Sequence, residues 1–249
     1  MQHQAMDMAM DEALAARFAT QFKLLAWCSP AYPTGAFSYS HGMEWAIERG
    51  TVVQREGLLE FVSAVIERGG GWVDAVLFAH AWRAAQQPPA LWQGRARAQL
   101  RELAELAAAF RGTAETALES RQQGSAFLEV TLKAWPHPRL FEFASDVRGQ
   151  PMAQCVAVAV ACAVHGIELS VAIHAFLQMI AANLVSAGVR LIPLGQTDAQ
   201  IAMARLAPVV AGAAARALLV ELEDLGTCAP ALEVCSMRHE TQYTRLFRS

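Results

Sequence analysis

The stretch MAQCVAVAVACAV, residues 152–164, decides the fold class of this chain of 249 residues. Val156, Val158 and Val160 alternate with alanines, and an alternation of this kind is the period of two that a β-strand shows. Alanine is nevertheless a poor strand former, the run is longer than a usual strand, and no neighbouring segment offers a strand to pair with it. We therefore predict that this stretch forms a buried helix and that the chain is all-α.

Helical patterns continue on both sides of this stretch. Near the N-terminus, apolar side chains recur at the 3.6-residue spacing of one helix face: Leu14, Phe18, Phe22 and Leu25. A further helix is predicted over residues 38–49, with Gly50 just beyond its end. Two threonine–glutamine pairs, which start at Thr51 and Thr197, have the spacing of a capping box at a helix start. The sequence therefore predicts a single compact all-α domain of roughly ten helices.

Composition and charge narrow the range of functions. Hydrophobic residues make up 54% of the chain and charged residues only 17%, which is below the usual share of about a quarter. With so little polar surface, we expect apolar patches to remain exposed on the monomer, and such patches usually mark protein interfaces. The net charge of −3 argues against a nucleic-acid-binding protein, which would carry a basic face.

The sequence also allows a prediction of the protein's location in the cell. The apolar window 171–194 carries polar side chains that are costly in lipid: His174, Gln178, Asn183, Ser186 and Arg190. We therefore predict a buried core helix there and no membrane partner. Residues 1–10 lack the basic stretch and apolar core of a signal peptide. The five cysteines are an odd number and indicate reduced thiols, so the predicted location is cytoplasmic.

The usual catalytic motifs are missing from the sequence. Residues 38–42, SYSHG, approach the Gly-x-Ser-x-Gly nucleophile elbow, but Ser38 stands in the first position and no strand precedes it. Ser40 and His41 are adjacent, so their side chains would point in different directions on a helix. A hydrolase built on this pair is therefore the least favoured hypothesis. We predict no catalytic residue, no enzymatic activity and no cofactor.

A metal-binding function is the main alternative. Cys155, Cys162 and His165 are spaced so that all three could line one side of a helix, and His41 and His239 lie in polar stretches that could reach a metal. The sequence has no CxxC or HxxxH pair to support such a site. We therefore favour cysteines that pack as small apolar side chains and histidines that form hydrogen bonds, and we predict no metal site.

Two segments are too unusual for ordinary core helices. Residues 29–44 combine two prolines and two glycines with aromatic and ionisable side chains, which predicts a constrained surface. Residues 237–249, MRHETQYTRLFRS, are polar and basic and lack an apolar stripe for docking on the chain's own core. They nevertheless carry the aromatic and arginine side chains that dominate binding energy at interfaces. We predict that this segment becomes ordered on a partner.

Three stretches resemble the signature motifs of the UreF family of urease accessory proteins. They are SPAYPTGAFSYSHGME at 29–44, RLIPLGQTD at 190–198 and RHETQYTRLFRS at 238–249, with a weaker similarity over 111–124. The resemblance spans residues 21–249 in the right order. It therefore predicts a poorly defined N-terminal extension over 1–20, an all-helical UreF-like domain over 21–237, and a partner-binding tail over 238–249.

The resemblance implies a homodimeric maturation factor, without enzymatic activity, for the dinuclear nickel site of urease. It implies three partners, namely a UreD/UreH-type accessory protein, the nickel-carrying GTPase UreG and apo-urease. The expected partner-binding residues are Tyr39, His41, Glu44, Gln196, Asp198, Arg238, Glu240, Tyr243, Arg245, Leu246 and Phe247. Tyr243 and Phe247 are the expected anchors of the tail on the UreD-type protein. The alternative is a nickel-binding carrier that uses the cysteines and histidines named above.

Overall fold

A computed structural model describes the backbone of residues 2–249 and the side chains of residues 10–249. Its α-helical segments are α1 (Gln2–Trp27), α2 (Met43–Glu48), α3 (Arg55–Glu67), α4 (Gly70–Ala85), α5 (Pro89–Leu91), α6 (Arg97–Ala109), α7 (Ala114–Ala134), α8 (Pro138–Asp146), α9 (Gln154–Val164), α10 (Leu169–Leu191), α11 (Gln196–Ala217) and α12 (Pro230–His239). Short 3₁₀ turns lie at Ala36–Ser38 and Leu222–Asp224, and a π-helical turn lies at Trp92–Ala96.

The all-α prediction is confirmed. Over residues 2–249 the regular structure is helical and contains no β-strand, and ten of the segments have nine or more residues. The stretch with alternating valines forms α9, which is buried on all sides from Gln154 to Ala163. A helix that is apolar all round belongs in a core. Its alanines leave room for close packing against α4 and α7, because an alanine side chain adds only one methyl group between two backbones.

The core continues through α10, as predicted for the apolar window. This helix packs against α11, α3 and α4, and Gly188 lies so close to Leu58 of α3 that an added Cβ would come within 2.6 Å of the leucine Cδ1. By length and composition, α10 is the one helix in the described part of the chain that could cross a membrane, yet half of its apolar window is buried inside the fold.

Helix α1 differs from the others because most of it projects away from the core. Its apolar stripe, which consists of Met10, Leu14, Phe18, Phe22 and Leu25, is exposed, with exposed fractions between 45% and 74%. Among residues 10–27 only the end of the helix is packed, where Trp27 is 1% exposed and meets the ring of Phe127 edge-on at 5.9 Å. The backbone of α1 is helical from residue 2 through residue 27 and so crosses position 20 without a break.

Three predicted helix starts are wrong. The helix predicted from residue 38 begins only at Met43, because His41 (φ 56°) and Gly42 (φ 76°) adopt left-handed backbone conformations that a right-handed helix excludes. The box predicted at Thr51 does not form, since α3 begins at Arg55 without a side-chain cap. Helix α11 begins before Thr197, at Gln196, and its first turn is closed by Asp198, whose carboxylate accepts from the Gly195 N–H at 3.4 Å.

Candidate protein-docking site

One face of α7 presents a row of hydrogen-bond acceptors, Glu115, Glu119 and Gln122. Their spacing of four and three residues puts them on the same side of the helix, and both carboxylates are buried. Residues 39–44 and the tail 238–249 pack against this row. We call the docking site the set of side chains that receives the tail: Tyr39, His41, Glu44, Glu115, Glu119 and Gln122.

The left-handed turn at His41 and Gly42 aims the first part of the docking site at α7. The Tyr39 hydroxyl donates a hydrogen bond to Gln122, and the His41 Nε2 lies 3.0 Å from the Glu119 Oε1. Burial lowers the pKa of His41, but the charge and hydrogen bond of Glu119 outweigh it, so the pKa is raised from its ordinary value. Helix α12 crosses directly over Gly42, where a Cβ would stand 2.5 Å from the Ser236 backbone nitrogen.

Glu44 binds the backbone of the tail. This carboxylate, buried at the start of α2, accepts from the N–H of Leu246 at 2.7 Å and from the N–H of Phe247 at 2.9 Å. The left-handed residues just before α2 bring Glu44 under the tail, and a carboxylate that receives two backbone N–H groups is well satisfied when buried. The ring of Phe247 is 4% exposed, and the Arg190 guanidinium of α10 lies 4.5 Å from its centroid.

Backbone pairing continues to the end of the tail. The Arg248 N–H donates to the Ser38 carbonyl at 2.8 Å, and the Ser249 carbonyl accepts from the backbone N–H of Ser40 at 2.6 Å. The Ser40 hydroxyl donates to the same carbonyl at 2.5 Å, and the Ser249 hydroxyl donates to Glu119 at 2.9 Å. The tail therefore pairs with residues 38–40 through its main chain and with α7 through side chains.

His239 links Glu44 to α7. Its ring is completely buried, with Nδ1 2.7 Å from the Glu115 Oε2 and Nε2 3.2 Å from the Glu44 Oε2. Arg245 donates to the other oxygen of Glu115 at 2.9 Å. The Glu240 carboxylate accepts from the Ala114 N–H at 3.2 Å, where the free N–H groups at the start of α7 favour a negative charge. Every ionised group around the ring is therefore paired.

Sequence comparison identifies the family to which this chain belongs. Residues 52–207, more than half of the chain, match the family model for UreF. The chain belongs to the UreF family. It is 45% identical to the urease accessory protein UreF of Rhodopseudomonas palustris (strain BisB5) over 94% of this chain and 93% of that protein. It is 48% identical to the urease accessory protein UreF of Granulibacter bethesdensis over 93% of this chain and 94% of that protein.

The structure differs from our expectation for the tail of this UreF-family chain. We expected residues 238–249 to lack a way of docking on their own core, but the tail is docked through hydrogen bonds and ion pairs in place of an apolar stripe. Phe247 is buried by its own chain, so the structure does not leave it free to anchor a partner. Tyr243 is fully exposed and Leu246 is 65% exposed. Partner binding by these residues stays a prediction.

The other predicted residues lie in three parts of the structure: the docking site, the tail and the start of α11. Tyr39, His41 and Glu44 lie within the docking site, whereas Arg238, Glu240 and Arg245 are exposed on the tail. Gln196 is exposed at the start of α11, and the Asp198 Oδ1 accepts from the Arg55 Nη1 of α3 at 2.9 Å. The second UreF motif therefore reaches the docking site through Arg190, which contacts Phe247, while Asp198 contacts α3.

Sequence reasoning missed the α7 row. Glu115, Glu119 and Gln122 lie in the stretch 111–124, whose resemblance to UreF is weaker than that of the three motifs. A signal was available, because acceptors spaced four and three residues apart on a predicted helix mark one polar face. The structure shows that this face is covered by residues 39–44 and by the tail.

The described residues offer no site for either alternative function, the nickel-binding carrier or the hydrolase. The described residues contain no group of three histidine, cysteine or acidic side chains that could hold a metal ion. Burial raises the pKa values of Cys155 and Cys162 well above the ordinary value, which opposes the thiolates that a metal needs. Both ring nitrogens of His239 already face carboxylates. Ser40 is buried and donates to Ser249, while His41 pairs with Glu119, so the hydrolase hypothesis lacks a nucleophile–base pair.

Proposed function

We propose that this UreF-family chain is a urease maturation factor without catalytic activity that acts by binding other proteins. Family membership implies a role in urease maturation. The finer proposal is a cytoplasmic scaffold that brings a UreD/UreH-type accessory protein and the nickel-carrying GTPase UreG to apo-urease. In this role it regulates GTP-dependent nickel insertion. The name carried by its relatives, urease accessory protein UreF, supports the assignment to urease.

The docked tail is the observation that carries the proposal. The docking site holds the tail by its backbone and by buried side chains, which leaves Tyr243 and Leu246 facing solvent. A segment whose backbone is already ordered loses less conformational entropy when a partner covers its exposed side chains. Arg238 and Arg245 add exposed guanidinium groups beside them, and tyrosine and arginine are enriched among the residues that dominate binding energy. The tail is therefore a preorganised surface for the UreD-type protein.

The exposed stripe of α1 supports the proposed homodimer. Five large apolar side chains follow one another along one face of α1, and among residues 10–27 only the end of the helix packs on the core. An apolar helix face is covered in most stable assemblies, and a second copy of the same face is a common solution. We place the dimer contact on this stripe and the UreD-type partner on the tail.

A binding assay tests the tail. The purified chain is immobilised, and the retention of a UreD-type partner is compared for the full chain, for a chain that ends at residue 237, and for Tyr243→Ala combined with Leu246→Ala. We expect the truncated chain to lose binding and the double variant to bind at least tenfold more weakly. The control is Leu219→Ala, which removes an even more exposed leucine beyond α11. Equal binding by the full and the truncated chain would reject the proposal.

A second assay tests the regulatory part. GTP hydrolysis by UreG is measured with and without this chain and the UreD-type partner, and the chain alone is assayed in parallel. We expect the chain alone to show no turnover and the complex to change the rate for UreG. A binding partner can alter a GTPase by supplying one charged residue to its active site. An unchanged UreG rate in a complex of proven composition would remove GTPase regulation from the proposal.

A further inference from the structure

A cavity lies behind the docking site, where α4, α7, α9, α10 and α12 meet. Its volume is about 90 Å³, which is room for roughly six to nine water molecules at about 10–15 Å³ each. Gly70, Gly112 and Thr227 line the cavity and are exposed, so it opens to solvent on that side. Ser120 and Gln154 also line the cavity and are buried, so its inner end reaches the core.

Two polar side chains at the inner end have no hydrogen-bond partner among the residues that the structure describes. They are the Ser120 hydroxyl and the Gln154 Nε2, in residues that are only 7% and 8% exposed. Gly124, one turn along α7 from Ser120, leaves room for the start of α9, because an added Cβ would stand 2.7 Å from the Gln154 backbone nitrogen. A buried polar group without a partner is costly, so these two groups mark a place for an occupant.

We propose that this cavity is a binding site for a small primary amide. The carbonyl oxygen of the amide accepts from the Gln154 Nε2, which is a donor only, and an amide N–H donates to the Ser120 hydroxyl, which can accept. The inference goes beyond the function proposed above, because it concerns the chain alone and needs no partner protein. A failure of the scaffold proposal would therefore leave it standing, and its own failure would leave the scaffold standing.

The charges of the cavity wall favour a neutral occupant. The buried Arg111 guanidinium donates to Asp74 of α4, and His41 lies 3.0 Å from Glu119. The remaining charged side chain of the wall, Glu233, is half-buried at the exposed opening. An ion at the inner end would therefore find no free counter-charge, and a buried charge without one is costly. A carboxylate or an ammonium group is thus a poorer fit than an amide.

The rest of the wall is largely apolar. Its apolar side chains are Val65, Val73, Phe110, Ile180, Leu184 and Leu232. An apolar wall with a few placed polar groups is typical of a small-molecule site. Water beside such a wall lacks partners for its usual three or so hydrogen bonds, whereas a short alkyl group packs against it. An amide with a short alkyl group therefore matches both parts of the wall.

Acetamide is the probe that tests the proposal, because it combines one amide with one methyl group. Acetate is the matched control ligand, since it has the same shape but carries a charge and no N–H. The side-chain NH₂ resonance of Gln154, assigned by its loss in Gln154→Met, is followed in the full chain as either compound is added. We expect a saturable shift with acetamide, and an affinity for acetate that is lower by about tenfold or more.

Substitutions separate binding in the cavity from binding elsewhere, with the Val73 methyl resonances as the reporter. Gln154→Met and Ser120→Ala each remove one proposed hydrogen bond and should weaken acetamide binding about tenfold. Gln178→Met is the matched control, because Gln178 is exposed on α10 and does not line the cavity. It should bind acetamide as the wild type does.

Intermolecular NOEs in the wild type keep the proposal falsifiable if a cavity variant fails to fold. We expect NOEs from the acetamide methyl group to the methyl groups of Val73 and Leu232, which both line the cavity. A cavity that holds only water would give neither these NOEs nor a saturable shift. That result, an equal affinity for acetate, or an acetamide affinity unchanged in a folded Gln154→Met chain would each overturn the proposal.

Discussion

At both ends of the chain, the burial of the side chains is the opposite of what the sequence predicts. Helix α1 has the apolar spacing of a helix that packs on a core, yet its stripe from Met10 to Leu25 lies exposed. The tail 238–249 is polar and basic, yet His239, Phe247 and Ser249 are buried. The apolar stripe of α1 is left uncovered by the described residues of the chain, whereas the tail is docked although it has no apolar stripe.

The difference shows what decides burial at each end. An apolar stripe predicts that something covers one face of a helix, but the spacing does not say whether the cover is the same chain or another one. A polar segment can be buried when each of its charged and hydrogen-bonding groups finds a partner. The tail meets that condition for most of its groups through Glu44, Glu115 and Glu119, which together receive N–H, imidazole, guanidinium and hydroxyl groups. The buried Oε1 of Gln242, which has no hydrogen-bond partner among the described residues, is an exception.

The largest effect that we expect concerns the two parts of α1. Trp27→Ala should lower the free energy of unfolding by about 3–5 kcal/mol, because it empties a buried site between Phe127 and Trp135. Phe18→Ala, on the exposed stripe, should change it by no more than about 0.5 kcal/mol. Urea denaturation at low protein concentration measures both. A large loss for Phe18→Ala would mean that the stripe is covered within the monomer.

The next largest effect on the free energy of unfolding is expected from a comparison of two glycines. Gly42 and Gly50 both adopt left-handed conformations, at φ 76° and 74°, and alanine there costs about 1–2 kcal/mol. An alanine Cβ at position 42 would also meet the backbone of α12 at 2.5 Å, whereas position 50 has no atom within 4 Å. Gly42→Ala should therefore destabilise the fold by about 2–5 kcal/mol, and Gly50→Ala by the smaller backbone cost alone.

The circular dichroism midpoint in urea, converted to a free energy, measures the difference between these variants. Gly42→Ala should also speed hydrogen exchange in α12 and the tail, because α12 must move away from α2. Equal destabilisation by the two substitutions would show that α12 does not rest on Gly42.

Glu44→Gln tests whether a single carboxylate holds the tail. The amide can accept from one backbone N–H, but its NH₂ group would face another donor, and the tail would lose about 2–3 kcal/mol of docking free energy. Hydrogen exchange at Leu246 and Phe247 measures that loss locally. Glu48→Gln, on the exposed side of the same helix, is the matched control and should leave the exchange unchanged. Retained protection in Glu44→Gln would place the holding contacts elsewhere.

The sequence predicted the helices of this fold better than the docking of its ends. The all-α class followed from α9, because poor strand formers in a long run leave only a helix that is buried on all sides. The three motifs identified the UreF family and contained Tyr39, His41 and Glu44. The left-handed turn at His41 was missed, because a non-glycine residue in that conformation is held by tertiary contacts that spacing does not reveal.

The row on α7 could not be recognised from local pattern alone. Glu115, Glu119 and Gln122 have the spacing of a solvated helix face, and most such faces are solvated. The burial of the two carboxylates, Glu115 and Glu119, depends on residues more than a hundred positions away, namely His239, Arg245 and Ser249. The spacing of residues shows which side chains share one face of a helix, but the partners of a polar side chain depend on the whole fold.

The smallest effect that we expect concerns the root of α1, where it packs on the core. His165 accepts at Nδ1 from the Lys23 ammonium at 3.3 Å, while its Nε2 donates to the Trp135 carbonyl at 3.0 Å. Burial, followed by the charge of Lys23, lowers the pKa of His165 below its ordinary value of 6.5. The folded chain therefore binds fewer protons than the unfolded chain, and stability declines as the pH falls from 6.5 through the lowered pKa.

Lys23→Met keeps the apolar stem of the side chain and removes its charge, so the decline in stability below pH 6.5 should become shallower. Lys133, the other lysine of the chain, forms an exposed pair with Glu129, and Lys133→Met should leave the decline as it is in the wild type. Urea denaturation at pH 7.5 and 5.5 measures the three chains. An identical decline in Lys23→Met would show that the charge of Lys23 does not contribute, and would leave the burial of His165 itself or the neighbouring His137, whose ring lies 5.4 Å from that of His165, as the cause. A shallower decline would show that the charge of Lys23 contributes to the loss of stability in acid, so that the polar contact at the root of α1, and not burial alone, sets how firmly this end of the chain is held.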